Sequence, residues 1–141
     1  MSRPAMIHHS TRGEAPALGF SDALLAGLAR DGGLYWPKTF PTLTEAAISD
    51  FAGRPYAEIA DRVISLFADD IAPEPLSKMI HEAYATFRHP SVCPLVEIDS
   101  NLFVLELFHG PTLAFKDVAM QLLGRLMDHV LALRNERATI V

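Results

Sequence analysis

His109-Gly110-Pro111-Thr112-Leu113-Ala114-Phe115-Lys116-Asp117 separates two textures of sequence. Upstream, residues 95–98 and 102–108 are rich in Leu, Val, Ile and Phe, with the turn formers Asp99, Ser100 and Asn101 between them. That pattern predicts a β-hairpin. Downstream, a stripe through Phe115, Ala119, Leu122, Leu126, Val130 and Leu133 recurs at helical spacing and predicts a helix over residues 113–133, ended by Arg134 and Asn135. The apolar Ala138-Thr139-Ile140-Val141 then reads as the start of a buried strand. Strands, a short turn, a long helix and a further strand make an α/β fold, and a chain stopping inside a core strand is expected to be a truncated piece of a longer domain.

Lys116 is the residue in this stretch that needs explaining. A second line, Ala119, Met120, Leu123 and Met127, runs beside the stripe, and Lys116 precedes it by one turn on the same side. A lysine against an apolar surface loses hydration, and the positive end of a helix dipole further disfavours its ammonium. An amine kept neutral near pH 7 attacks aldehydes and forms Schiff bases. A lysine that lays its stem along the surface and keeps its amine in water accounts for the position as well. Gly110 and Pro111 are expected to shape the turn, with Thr112 as the N-cap of the helix. His109 either orients a bound molecule or is hydrogen-bonded structure at a strand end.

Moving outward, residues 1–88 read as a small helical domain punctuated by proline and glycine. Ser21 caps a helix through Leu24, Leu25 and Leu28, with Gly32 and Gly33 as its stop. Leu34, Tyr35 and Trp36 form an extended piece ended by Pro37, and Pro41 and Thr44 lead into a helix through Ala47, Ile48 and Phe51. A helix from about Pro55 carries Tyr56, Ile59, Ala60, Val63, Ile64 and Phe67; Pro73 and Pro75 separate it from the next, carrying Leu76, Met79, Ile80, Ala83, Tyr84 and Phe87. Pro90 and Pro94 mark the change to the second domain, residues 89–141. Ser10, Thr11 and Arg12 combine two hydroxyls with a guanidinium fork, which suits a phosphate or carboxylate, although a surface arginine bonded to a turn fits equally.

Composition removes several function classes. A net charge of −5 without a cluster of Lys and Arg makes nucleic acid an unexpected partner. The single cysteine, Cys93, has no disulfide or zinc partner, which fits a reducing, cytoplasmic setting. No apolar run approaches the roughly 20 residues that span a bilayer, so no membrane association is expected. The adjacent His8 and His9 point to different sides of an extended backbone, so no metal site is expected there.

The nine residues from His109 to Asp117 resemble the cofactor-lysine segment of threonine synthases. Ser10-Thr11-Arg12-Gly13 and residues 27–37 (GLARDGGLYWP) resemble that family's opening segments, and the resemblance covers nearly the whole chain. It implies an N-terminal helical domain followed by the start of a fold-type II, tryptophan synthase β-like domain that binds pyridoxal 5'-phosphate. By the same resemblance, Lys116 holds the cofactor as a Schiff base and shuttles protons, and Phe115 either packs on the cofactor ring or fills the core. Arg12, Thr11, Ser10 and His109 fall to the substrate, O-phospho-L-homoserine, which the family converts with water to L-threonine and phosphate.

In that family a Gly/Ser/Thr-rich phosphate loop follows the strand begun at Ala138. These 141 residues alone are therefore expected to be inactive, and to self-associate through uncovered strands. Two rival readings are a different fold-type II lyase, of serine/threonine dehydratase or cysteine synthase type, and a folding or binding module without activity.

Overall fold

The elements follow in the order β1 (His8–Ser10), α1 (Phe20–Ala26), β2 (Tyr35–Pro37), α2 (Glu45–Ser49), α3 (Tyr56–Ile64), α4 (Pro73–Tyr84), β3 (Leu95–Asp99), β4 (Leu102–Leu105) and α5 (Asp117–Arg134). They come from a computed structural model that describes residues 5–139. Internal contacts gather into two units, one made of the residues up to Ala52 with Arg62–Leu76, the other of Gly53–Asp61 with the residues from Ser77 onward.

The first unit is not purely helical. β1 and β2 pair antiparallel, with His8 opposite Pro37, His9 opposite Trp36 and Ser10 opposite Tyr35. The extended reading of Leu34 to Trp36 holds at Tyr35 and Trp36, and the strand includes Pro37 rather than stopping before it, but its partner strand is too short, and too poor in β-branched residues, to announce itself locally. His8 is buried and His9 half-buried, as neighbours on a strand require.

α1 begins one residue before the expected cap. Gly19 takes the N-cap position, and Ser21 lies inside the helix, where its backbone N–H and hydroxyl both donate to Asp70, at 2.9 and 3.0 Å. A carboxylate 49 residues away thus satisfies donors that a local cap was expected to serve. The helix stops at Gly27, whose φ of 62° ends it before Leu28 and well before Gly32. α2 starts as expected, with Thr44 Oγ1 accepting from Ala47 N–H at 3.2 Å. Ala29, Ala68, Ile71 and Leu76 form the core of this unit.

The second unit has the larger core, from Ala60, Met79, Ile80, Ala83, Tyr84, Val92, Leu122, Leu126 and Val130. Pro73 and Pro75 are not a linker; they lie in the first turn of α4, where a missing N–H has no helical partner to lose. Tyr56 and Tyr84 meet edge to face at 4.8 Å beside Cys93. Burial, reinforced by these neighbours, raises the Tyr56 hydroxyl far above its ordinary value. Cys93 is half-buried and free, and burial raises its thiol too, despite a hydrogen bond to Tyr56 that lowers it.

The hairpin forms where expected. Leu95, Val96, Glu97 and Asp99 pair with Leu105, Val104, Phe103 and Leu102, and Ile98 is the extra residue of a bulge. Asn101 turns the chain at φ 60°. β4 ends at Leu105, so His109 lies in the loop beyond the strand. Every residue of both strands is exposed.

α5 ends at Arg134 with Asn135 in the left-handed conformation, as the sequence predicts. Ala138 and Thr139 are exposed and in no strand, while Ile140 and Val141 lie outside the described residues. Among the described residues no helix is long and apolar enough to cross a membrane, and no cluster of His, Cys, Asp or Glu is arranged to hold a metal.

Candidate active site

α5 starts at Asp117, four residues later than its apolar periodicity predicts. Leu113 adopts φ 65°, a left-handed conformation that breaks the helix before it can extend back to Thr112. Residues 110–116 instead form a tight turn, with Leu113 N–H bonded to Gly110 C=O at 3.2 Å and Asp117 N–H to Ala114 C=O at 3.0 Å. Lys116 occupies the N-cap position and Thr112 does not. Thr112 serves the turn another way: its N–H donates to Asp117 Oδ2 at 2.8 Å, and its hydroxyl lies 2.9 Å from both carboxylate oxygens.

Asp117 is the centre of this arrangement. It is 3% exposed, and Gln121 Nε2 also approaches it at 3.4 Å. Burial alone raises its carboxyl, but the hydrogen bonds from Thr112, Gln121 and the Leu113 backbone prevail and lower it. Gly110 is required by close approach, since a Cβ there would fall 2.4 Å from Asp117 Cβ and Oδ2.

Lys116 itself is exposed. The apolar line expected around it is not an enclosure, because Ala119 and Met120 are exposed while Leu123 and Met127 are half-buried. Phe115, at 65% exposed, does not fill the core. The stripe packs only through Leu122, Leu126 and Val130, with Leu133 75% exposed. His109 Nε2 and Glu106 Oε2 are 2.7 Å apart, the His109 carbonyl accepts from Arg88 N–H at 2.9 Å, and the His89 ring lies 5.1 Å away.

Ser10, Thr11 and Arg12 belong to the first unit and are gathered around Asp31. Ser10 Oγ donates to Asp31 Oδ1 at 2.7 Å and accepts from Arg12 N–H at 3.2 Å. Gly33 N–H and Glu14 N–H donate to the same carboxylate, both at 2.9 Å. Thr11 Oγ1 accepts from Leu34 N–H at 3.0 Å, and Arg12 Nη1 donates to Asp31 C=O at 2.9 Å. Gly33 cannot carry a side chain here, because its Cβ would sit 2.2 Å from Ser10 Oγ. Burial raises the Asp31 carboxyl, but the Ser10 hydroxyl and the backbone N–H groups of Gly33, Glu14 and Ala15 bring it below its ordinary value.

The two aspartates are what residue-by-residue reading missed. Their signal was present as Asp-Gly-Gly at 31–33 and as Gly110 seven residues before Asp117, glycines that allow a backbone to close on a carboxylate.

A pH dependence follows from both depressed carboxyls. Each contributes stability that is complete above the unfolded value of about 3.9 and is lost as the pH falls through its lower folded value. Urea midpoints measured from about pH 6 to about pH 3 should hold steady and then drop, and the drop should shrink in Asp31→Asn.

A family model described as Threonine synthase N terminus matches residues 7–84, more than half of the chain. Threonine synthase of Pseudomonas aeruginosa is 56% identical over 137 residues, covering 96% of this chain and 29% of that protein. The Schizosaccharomyces pombe threonine synthase is 44% identical, over 89% of this chain and 25% of its own length. A crystal structure of PLP-bound threonine synthase from Brucella melitensis superposes with a TM-score of 0.91 at 61% identity, covering 94% of this chain and 29% of that one. The yeast threonine synthase structure gives 0.86 at 37% identity, covering 95% and 28%. The chain spans under a third of the length of these relatives. On the family model and on likeness along nearly all its length, the chain belongs to the threonine synthase family, of which it carries the N-terminal part.

Proposed function

We propose that this chain is the front portion of a threonine synthase that uses pyridoxal phosphate, with Lys116 as its cofactor lysine. The observation that carries the reading is the anchored turn from Gly110 to Asp117, which holds an exposed lysine at the start of an 18-residue helix. The residues present fit that cofactor: an accessible amine on a braced backbone is what attachment to an aldehyde needs. When bound, the cofactor supplies an electron sink for charge developing on the substrate. Lys116 Nζ binds it, then takes and returns protons as general base and acid. Phe115, exposed next to it, offers an apolar face to the ring. His109, held by Glu106, orients substrate from the loop before the turn.

Arg12, with Thr11, recognises the phosphate of O-phospho-L-homoserine, the substrate converted with water to L-threonine and phosphate, while Ser10, whose hydroxyl proton goes to Asp31, holds the Arg12 backbone rather than the phosphate. The guanidinium keeps donors beyond Nη1, and Asp31 braces its backbone through Ser10. In the enzyme at the full length of its relatives, Arg12→Ala should lower kcat/KM for that substrate about ten- to a hundredfold and weaken cofactor binding less. Steady-state kinetics with a cofactor titration check it.

The domain assignment belongs to the same reading: a helical N-terminal domain to about residue 88, then the start of a fold-type II, tryptophan synthase β-like domain. Supporting the boundary, the family model ends at residue 84. A cytoplasmic location, a small-molecule substrate without nucleic-acid or membrane partners, and self-association of the isolated chain through β3 and β4 complete it. Because the chain covers 29% of the Pseudomonas relative, these 141 residues alone should release no phosphate from O-phosphohomoserine above a protein-free control.

The cofactor assignment is tested by incubating the enzyme at the full length of its relatives with pyridoxal phosphate, reducing with borohydride and mapping the labelled peptides. The chain has three lysines, Lys38, Lys78 and Lys116, so the two others serve as internal controls. Preferential label on Lys116 is expected; an even distribution over the three overturns the assignment.

A further inference from the structure

We propose that Asp117 is a positioning residue for Lys116: its carboxylate clasps the turn before it, and so sets where the amine is presented, without pairing with that amine. The inference rests on the reading of Lys116 as the cofactor lysine. Among the described residues Asp117 is the one buried carboxylate, and its hydrogen bonds to Thr112 point backward along the chain. They reach Thr112 through its N–H and hydroxyl, while Gln121 holds it from the next turn of α5. Residues 113–116 are therefore bracketed between a carboxylate fixed to the helix and the donors it binds.

Three features make the clasp directional. Leu113 sits at φ 65°, a conformation costly for a branched side chain unless its surroundings impose it. Gly110 lies so close that only hydrogen fits against Asp117 Cβ. The carboxylate's partners are all neutral donors, so their hydrogen bonds favour its charged form, and that charge lies at the positive end of α5. An amide in its place offers one acceptor oxygen and turns an NH2 toward the Thr112 donors.

The test compares the enzyme at the full length of its relatives with its Asp117→Asn and Thr112→Val variants by amide hydrogen exchange and by the borohydride trap. In Asp117→Asn, exchange at the Thr112 and Leu113 amides should rise at least about tenfold while the amides of Leu122, Leu126 and Val130 keep their protection. The label on Lys116, relative to Lys38 and Lys78, should fall by about the same factor. Thr112→Val, which keeps the carboxylate and removes one hydroxyl donor, should move both readouts in the same direction by less, and it decides the matter if Asp117→Asn does not fold.

A merely structural Asp117 would loosen all of α5 together, and that result, or an unchanged label ratio in either variant, overturns the proposal. If the unsubstituted enzyme shows no preference for Lys116, the cofactor reading falls, whereas the clasp on the turn is still read separately by the exchange of Thr112 and Leu113.

Discussion

Replacing Lys116 with Ala, in the enzyme at the full length of its relatives, is expected to abolish threonine formation and the visible absorbance of attached cofactor while leaving the fold intact. Lys116 is exposed and no hydrogen bond of the turn runs through its side chain, so its removal should cost little stability. The chemistry is different. The amine is proposed both as the covalent anchor and as the group that moves protons, and proton transfer by a positioned side chain alone contributes about 10²–10⁴-fold. Loss of both roles should lower turnover by at least about 10⁴-fold. Retained absorbance at an equal yield of bound cofactor would move the cofactor to another lysine. Far-UV circular dichroism and thermal unfolding of the variant check that the fold has survived.

Ile80→Ala is expected to have the largest effect on stability. Ile80 is fully buried in α4, in the unit that also buries Met79, Ala83, Val92, Leu122, Leu126 and Val130. Truncating such a side chain removes apolar surface from burial and leaves a cavity that the neighbours only partly fill, at a cost of about 2–5 kcal/mol. That is a large share of the roughly 5–15 kcal/mol that holds a domain folded, so the denaturation midpoint should drop steeply. Leu133→Ala, at a residue 75% exposed at the end of the α5 stripe, should cost far less. Equal losses at the two sites would mean that α5 packs through residues other than Leu122, Leu126 and Val130.

Much of the element order was legible from local pattern. The β3–β4 hairpin follows from two branched, aromatic runs around Asp99 to Asn101, and the end of α5 at Arg134 from an asparagine that tolerates the left-handed conformation. Thr44 capped α2 where expected. These features depend on a few neighbouring residues, and neighbouring residues are what periodicity and turn chemistry report.

The misreadings share a cause. Ser21 was expected to cap α1 and Thr112 to cap α5, yet Asp70 serves the first helix and Asp117 binds Thr112 into a turn before the second. The apolar line beside Lys116 was expected to take water from it, but helical spacing defines a face and leaves open what covers that face.

By itself, then, the sequence determined the family, through the residues from 109 to 117 and the opening Ser10-Thr11-Arg12-Gly13, together with most of the helices and the hairpin. Tertiary structure alone decided that β1 pairs with β2, that Asp31 gathers Ser10 and Arg12, and that Asp117 clasps Thr112 ahead of Lys116. The physical reason is that a carboxylate recruits whichever donors the folded backbone brings within about 3 Å, and no rule of spacing along the chain names those donors in advance.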